Sequence, residues 1–549
     1  MSKGYLTDQT VEERCEEIAK SFKYILQGME MDKTQAEDIS TRFYNYLAKG
    51  MYSLATPVWV SYGNNRGLPI SCFNSDVDDT MDGILYAAGE VGMLTKMGGG
   101  TSAYLGKLRP RGTPITNNGV ADGPAHFARL FNSIMQVSRQ GSRRGYLAAY
   151  LDAHHPDIEE FLKIGSDGSD IQNITTGVNF TDEFLKKAYY GEKHEAEILA
   201  KFHKARGDMG YPYTLFKDNA NRGRPQVYKD LGLEIESSNL CNEIMLPSTP
   251  DESFVCVLSS MNLVKYYDPD FEDAIKVLVY FLDTVVEESL QKLRDMRSKH
   301  DYHFLDRIER FLRRHRALGM GVLGWHHLLQ SKMLAFESRE AAQLNVRIFK
   351  TLREKSYEAS KELAEWFGEP EILQGYGMRN TTTMAIAPTK SSSFILGNVS
   401  EGIQPELSNC YLADLAKDTI VVRNPYLEQW LEDMEMDTEE VWKSISDHAG
   451  SVQHLQWIPD FIKDVFKTFP EINPKTVIDQ AAARQSYIDQ GQSLNLIFHP
   501  DISVGEINHL FYYAWQIGIK GLYYQIGMSA AQAHNTKRLN MKHCASCEG

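Results

Sequence analysis

From about Leu54 onward, short β-prone runs alternate with glycine-bearing turns and amphipathic helices, and no other feature constrains the fold of this chain as much. A strand that passes through a helix returns to its sheet in parallel, so the alternation belongs to α/β architectures built on a parallel sheet. In GYLAAYLDAHHPDIEEFL, a strand-like run turns into a helix with Pro156 in its first turn, where a missing N–H costs nothing. FVCVLSSMNLVKYY precedes a long helix expected near Asp268 to Met296, and helical spacing continues through Leu329 and from Arg339 to Trp366. TTTMAIAPTKSSSFILGNVSEGIQP reads as strand, polar loop, strand, and GIKGLYYQIGMS as a late strand. Residues 1–53 read as a small helical N-terminal domain, with apolar positions Ile18, Phe22, Ile25 and Leu26 at helical spacing. A charged, helical texture from about 412 to 490 suggests an α-rich insertion, and residues 526–549 read as a polar, flexible tail.

Lys and Arg number 58 against 73 Asp and Glu, and the resulting net charge of −15 argues against binding nucleic acid or an anionic membrane through long-range attraction. The first twenty residues have no apolar core of a leader, and the apolar run Val277 to Leu282 is too short to span a bilayer. Seven cysteines in a chain of 549 residues do not suggest a disulfide scaffold, so the expected compartment is the cytoplasm.

Two motifs are set aside. Gly319 to Gly324 fits G-x-G-x-x-G, but the charged helix DRIERFLRRHRA precedes it where a dinucleotide site requires a strand. A helix running into a close-packed glycine strand accounts for it better. His154, His155 and Asp157 lack ligand spacing and read as polar residues at a helix start, and no metal site is expected.

SNLCNEI raises a sharper question. Residues two apart on an extended strand or loop share a face, so Asn239, Cys241 and Glu243 would converge on one small volume. A core cysteine behaves as a small hydrophobe and needs no polar frame, whereas a reactive one does. Cys15 and Cys410 have no distinctive surroundings and read as structural. Cys72 stands at a probable strand end, Cys256 within a strand. Cys544 and Cys547 form a C-x-x-C in the tail, beside Lys542 and His543. A redox pair suits them better than zinc, because His543 adjoins Cys544 and makes a tetrahedral set awkward.

SCFNSDVDD, SNLCNEI, VCVLSSMNL, APTKSSSFILGNVSEGIQP, GLYYQ and a terminal cysteine pair, in this order, resemble the large subunit of class I ribonucleotide reductase. The likeness runs from about Leu54 to the C-terminus. It implies a ten-stranded α/β barrel over 54–525, made of two parallel five-stranded halves with Cys241 on an internal loop. The activity implied is reduction of ribonucleoside diphosphates to 2′-deoxyribonucleoside diphosphates by thiyl-radical chemistry. In that scheme Cys241 is the radical that takes the 3′-hydrogen, Glu243 the general base on the 3′-hydroxyl, and Asn239 the holder of the 2′-hydroxyl or ketyl. Cys72 and Cys256 are the dithiol that becomes a disulfide, and Cys544 and Cys547 reduce it by exchange.

The resemblance also makes Tyr523 and Tyr524 redox stepping stones, Tyr523 nearer Cys241 and Tyr524 nearer a partner. No cofactor is expected in this chain, since the radical would come from a metal-containing small (beta) subunit. Thr389, Lys390, Ser391, Ser392 and Ser393 are candidates for diphosphate binding, with Thr56 and Ser71 as further substrate contacts. Lys390 stands where the family usually has a small or acidic residue. Asp79 and Arg109 match contacts to a nucleoside triphosphate effector, and Arg139 to Gly145 resembles the loop that relays effector identity. With about 50 residues ahead of the core, the ATP-cone of many relatives is not expected, nor is overall inhibition by dATP at such a cone. Thioredoxin or glutaredoxin and a second copy of the chain are the other implied partners. A class II reductase using adenosylcobalamin is the nearest alternative, disfavoured by LYY and NLC. A non-catalytic nucleotide-binding protein or a zinc-tailed structural protein would be expected to lose some of the cysteines, and this chain keeps them all.

Overall fold

The computed structural model describes residues 9–140, 143–299, 303–414, 419–499 and 501–527. Five strands, β1 (Cys72–Asp76), β2 (Gly100–Tyr104), β3 (Leu147–Asp152), β4 (Thr175–Phe180) and β5 (Tyr213–Phe216), pair in parallel in chain order. Helices Met81–Lys96, Pro124–Val137 and Lys193–Met209 lie on the crossovers, as parallel pairing demands. A second set begins with β6 (Val255–Asn262) and β7 (Leu318–Leu323), parallel with Leu318 opposite Val257.

The second set continues through two runs that lack strand regularity. Met320 N–H donates to Thr383 O at 2.8 Å, and Met320 bridges Met384 in parallel. Ile386 bridges Gln492, and Tyr523 N–H reaches Leu494 O at 2.8 Å, just after β8 (Gly521–Leu522). The sets meet antiparallel at both edges, β1 on β6 and β5 on β8. Ten members thus close a ring of two five-membered halves, the α/β barrel expected from the sequence, with 382–386 and 490–494 serving as two of them.

Side chains along β3 alternate as a barrel wall requires. Ala148 and Tyr150 face the interior cluster that contains Cys241, while Leu147, Ala149 and Leu151 join the main core under the helices. The glycine motif before Gly324 is β7, preceded by helix Asp306–His315, so the strand reading holds. Its glycines are needed for close approach. A Cβ on Gly319 would lie 2.9 Å from Cys256 Sγ, and one on Gly321 2.9 Å from Ala385 O.

The N-terminal helices Val11–Gly28 and Lys33–Ala48 share the main core instead of forming their own. Phe22 and Phe43 pack on Phe281 of helix Phe271–Lys299, with ring centroids 5.3 and 4.3 Å away. A separate small core runs from Cys410 to Phe466, inside the span expected to be α-rich. It opens with a β-hairpin, Cys410–Asp414 against Thr419–Arg423, and helix Pro474–Gln485 already belongs to the main core. Among the described residues no helix is long and apolar enough to cross a membrane, and no group of three or more ligating side chains could hold a metal.

Candidate active site

Between β5 and β6 the chain leaves the wall and enters the barrel, and residues 237–246 are buried without regular structure. Asn239 and Glu243 do come together, with the Cys241 carbonyl linked to Glu243 through Ser493, but through a turn rather than the extended backbone expected from their spacing. Asn242 N–H donates to Asn239 O at 3.3 Å, and Asn242 takes φ 63°, the left-handed region that asparagine tolerates. The Asn239 side chain then acts as a cap. Its Oδ1 accepts the N–H groups of Glu243 and Ile244, each at 3.0 Å, and its Nδ2 donates to Cys72 Sγ at 3.1 Å. From the wall, Tyr150 donates its hydroxyl to Asn239 O at 2.7 Å, and Asn242 Nδ2 donates to Thr214 O at 2.9 Å.

Glu243 is 1% exposed, and burial pushes its carboxyl up to about 7 against hydrogen bonds that favour the ionised form. The Cys72 thiol lies 3.9 Å from Oε1, a weak donor contact. The Ser493 hydroxyl lies 3.2 Å from Oε2 and 2.6 Å from Cys241 O, joining acid and cysteine. A buried carboxyl titrating near neutrality can take or hold a proton at working pH, as a general base must.

Cys72 and Cys256 are direct cross-strand partners where β1 meets β6 antiparallel, both buried and both thiols. Opposed residues in such a pair have Cα atoms about 4.5–5.5 Å apart, within the range a disulfide spans. Burial raises the Cys256 thiol far above its usual range, and a hydrogen bond from Gln490 Nε2 at 3.4 Å opposes that rise. Asn239, Glu243 and the two wall cysteines are therefore one connected constellation. Cys15 and Cys410 are buried elsewhere, in the main core and in the small 410–466 core.

Cys241 is 1% exposed and shares a cluster with Tyr104, Tyr150, Tyr213 and Tyr523, with Tyr524 packed against it. Tyr523 and Tyr524 have ring centroids 4.4 Å apart, and Tyr213 stands 4.7 and 5.1 Å from them. Tyr523 is 4% exposed and Tyr524 only half-buried, so the tyrosine path leads outward from the cysteine cluster.

Thr389 precedes the short helix Lys390–Ile395 at the mouth where the second-half runs end. Its hydroxyl accepts Gly402 N–H at 2.8 Å, Ser392 Oγ lies 3.4 Å from Leu54 O, and Ser393 donates to Val399 O. Thr56 opens helix Thr56–Ser61, and the buried Ser71 hydroxyl, just before β1, has no partner among the described residues. Asp79 and Arg109 lie apart from this site and bind one another, Nε to Oδ2 at 2.6 Å and Arg109 N–H to Oδ1 at 3.1 Å. Arg139–Gln140 pairs with Arg143–Arg144 as a minimal hairpin. Cys544 and Cys547 lie outside the described residues. A cavity of about 650 Å³ opens at the other mouth, lined by Arg224, Arg353, Tyr357, Asp489 and Lys520 among others, away from Cys241.

Sequence reasoning missed Gln490, Ser493, Tyr150 and Tyr213. The signal was present in DQGQSLNL, a polar run with few of the charges of a solvated loop, which the structure buries in the barrel wall. Tyr211-Pro212-Tyr213 offered none, because interior tyrosines are ordinary packing.

The ribonucleotide reductase barrel-domain family matches residues 70–197, 191–372 and 366–525. A ribonucleoside-diphosphate reductase large subunit of Invertebrate iridescent virus 3 is 32% identical over 600 residues, covering 93% of this chain and 92% of that protein. The large chain of Schizosaccharomyces pombe is 30% identical over 583 residues, covering 90% and 70%. Among solved structures, the class Id ribonucleotide reductase alpha subunit of Actinobacillus ureae superposes with a TM-score of 0.89 at 47% identity, covering 96% of each chain.

Proposed function

Because this chain belongs to the ribonucleotide reductase family, as a class I large subunit, we propose that the constellation around Cys241 is its catalytic centre and assign a role to each member. The protein is an oxidoreductase that reduces ribonucleoside diphosphates to 2′-deoxyribonucleoside diphosphates, and a separate small subunit supplies its radical. Cys241 takes the 3′-hydrogen, leaving a ribose radical from which the 2′-hydroxyl departs readily. Glu243 accepts the 3′-hydroxyl proton, and its near-neutral carboxyl suits that task. Asn239 holds the turn and offers its amide to the 2′-substituent.

Cys72 and Cys256 supply two electrons and two protons. The C2′–OH bond becomes C2′–H, water leaves, and the two thiols end as one disulfide. The observation that carries this reading is their cross-strand opposition, with Cys72 in contact with both Asn239 and Glu243. Tyr523 and Tyr524 relay the radical inward from the small subunit. Thr389 to Ser393, with Thr56 and Ser71, bind the diphosphate end and sugar, and Asp79 with Arg109 takes a nucleoside triphosphate effector once their mutual pair opens. Cys544 and Cys547 re-reduce the buried disulfide and are in turn reduced by thioredoxin or glutaredoxin. The working form is a homodimer in the cytoplasm, with no nucleic acid or membrane partner.

The test is Cys241→Ser combined with the small subunit and CDP. Binding of the diphosphate should persist and deoxycytidine diphosphate should be undetectable. Measurable turnover by this variant would overturn the assignment.

A further inference from the structure

We propose that Gln490 is the positioning residue of the dithiol, holding Cys256 Sγ opposite Cys72 and tying it to the loop that carries Cys241. This rests on the role proposed above for Cys72 and Cys256. Gln490 is fully buried in the irregular run 490–494, and both ends of its side-chain amide are used. Oε1 accepts Met245 N–H at 3.1 Å, four residues beyond Cys241. Nε2 lies 3.4 Å from Cys256 Sγ, 3.0 Å from Leu318 O and 3.1 Å from Thr382 Oγ1. One amide therefore joins the catalytic loop, a dithiol cysteine and two wall members.

The side chain is preorganised by its own backbone. Gln490 O accepts Lys520 Nζ at 3.0 Å and Gln485 Nε2 at 2.9 Å, and Gln490 N–H donates to Met384 O at 3.2 Å. Gly319, with no Cβ, leaves the space that Cys256 Sγ occupies.

The chemistry needs such a donor. Among the described residues Gln490 alone offers an N–H to Cys256 Sγ, in a site where burial disfavours thiolate. The amide has two hydrogens and three acceptors in reach. While Cys256 is a thiol or developing thiolate, one hydrogen serves the sulfur. Once the disulfide forms and the sulfur becomes a poorer acceptor, both hydrogens fall back on Leu318 O and Thr382 Oγ1, and no buried donor is stranded. Gln490 thus accommodates both redox states without rearrangement.

The experiment uses the full chain with its small subunit. Gln490→Met keeps the volume and removes the N–H. Its kcat with CDP should fall about tenfold with KM within about twofold, as for loss of one buried hydrogen bond. In single turnover by pre-reduced protein, formation of the Cys72–Cys256 disulfide, read by peptide mass mapping after acid quench and alkylation of the unfolded chain, should slow about tenfold. A purely structural role would lower the melting temperature and leave that rate unchanged below the transition. Gln490→Glu is the second variant and decides alone if the first does not fold. Its protonated acid can donate to sulfur and its carboxylate repels thiolate, so turnover as a fraction of wild type at the same pH should recover as pH falls. Wild-type kcat and a wild-type rate of disulfide formation in Gln490→Met, or no recovery relative to wild type at low pH in Gln490→Glu, would overturn the proposal. Cys256→Ser separates the two failures: if it turns over normally, the dithiol reading itself is wrong, whatever Gln490 does.

Discussion

In the first half of the barrel, β1 to β5 are joined by unbroken parallel ladders, whereas in the second half the runs 382–386 and 490–494 join their neighbours through scattered backbone hydrogen bonds and isolated bridges, with side chains added between them. Asp489 shows how the second half is held. Its Oδ2 accepts the N–H groups of Thr383 and Met384 at 2.7 and 3.1 Å, doing with a carboxylate what a neighbouring strand does in the first half. A regular ladder spends its backbone groups on its neighbours. Where the ladder is broken, Gly491 N–H turns inward to Glu243 O at 2.8 Å, and side chains add to it: Gln490 Oε1 accepts Met245 N–H and the Ser493 hydroxyl donates to Cys241 O. The regular half sends Cys72, Asn74, Tyr150 and the Thr214 carbonyl to the same loop. Both halves thus grip the catalytic loop, the ordered half mainly with side chains that stand on its ladders and the irregular half with backbone and side chains together.

The largest expected effect lies at the end of the irregular half. Tyr523→Phe and Tyr524→Phe keep the ring packing at 4.4 Å and remove the oxidisable O–H. Each should bring CDP reduction below detection while small-subunit binding and melting temperature stay near wild type. Retained turnover in either variant would show that the tyrosine stack is packing alone.

Next comes Gly319→Ala, which adds a methyl 2.9 Å from Cys256 Sγ and 2.5 Å from Leu258 Cδ2. One side must move, and displacing a reacting atom by about 1 Å costs on the order of 100-fold in rate. Single-turnover reduction by pre-reduced protein measures this without the tail. A rate within threefold of wild type, on the order of the noise between related variants, would mean that Cys256 has room the geometry denies it.

A smaller and graded effect belongs to Glu243. Its folded carboxyl is raised from 4.5 to about 7 by burial, so folding favours the neutral form. The stability this gives is fully present below about pH 4.5 and is lost as pH rises through about 7, the same interval in which the base becomes available. Single-turnover rate should therefore rise between pH 6 and 8, about tenfold per unit on the steep limb. Glu243→Gln should melt higher than wild type at alkaline pH, with the difference vanishing under acid. A flat rate profile, or a melting difference independent of pH, would remove Glu243 as the base.

How much of this was legible in sequence follows the same division. The strand–helix alternation made the first half readable, because parallel ladders demand apolar runs and crossover helices. The cysteine positions and the Asn239–Glu243 frame were readable as residue types. Their geometry was not, since spacing suggested an extended segment and the structure uses a turn with Asn242 at positive φ. Gln490 and Ser493 were invisible for a physical reason: they act through contacts more than 240 residues distant in the chain, which no local pattern encodes. The hairpin opening the 410–466 core was hidden by the charged texture around it.

The smallest expected effect on chemistry is in the regular half, where the comparison can be broken most cleanly. Leu151 lies on β3, fully buried in the main core on the helix side of the wall, while Ala148 and Tyr150 of the same strand face the Cys241 cluster. Leu151→Ala should cost about 2–5 kcal/mol through lost burial and the cavity left behind. The ladder through Leu151 and Val178 is made by backbone groups and survives the truncation. Tyr150 should therefore keep its position against Asn239, and kcat below the melting transition should stay within about twofold of wild type. Denaturant titration and CDP turnover on one preparation measure both quantities. If kcat fell in step with stability, the helix side of the ordered half would be transmitting its packing to the catalytic loop, and the separation of the two faces of its strands would fail. If stability fell alone, the same cavity introduced at a residue of 490–494 should lower both, because there the wall and the loop are held by one set of side chains.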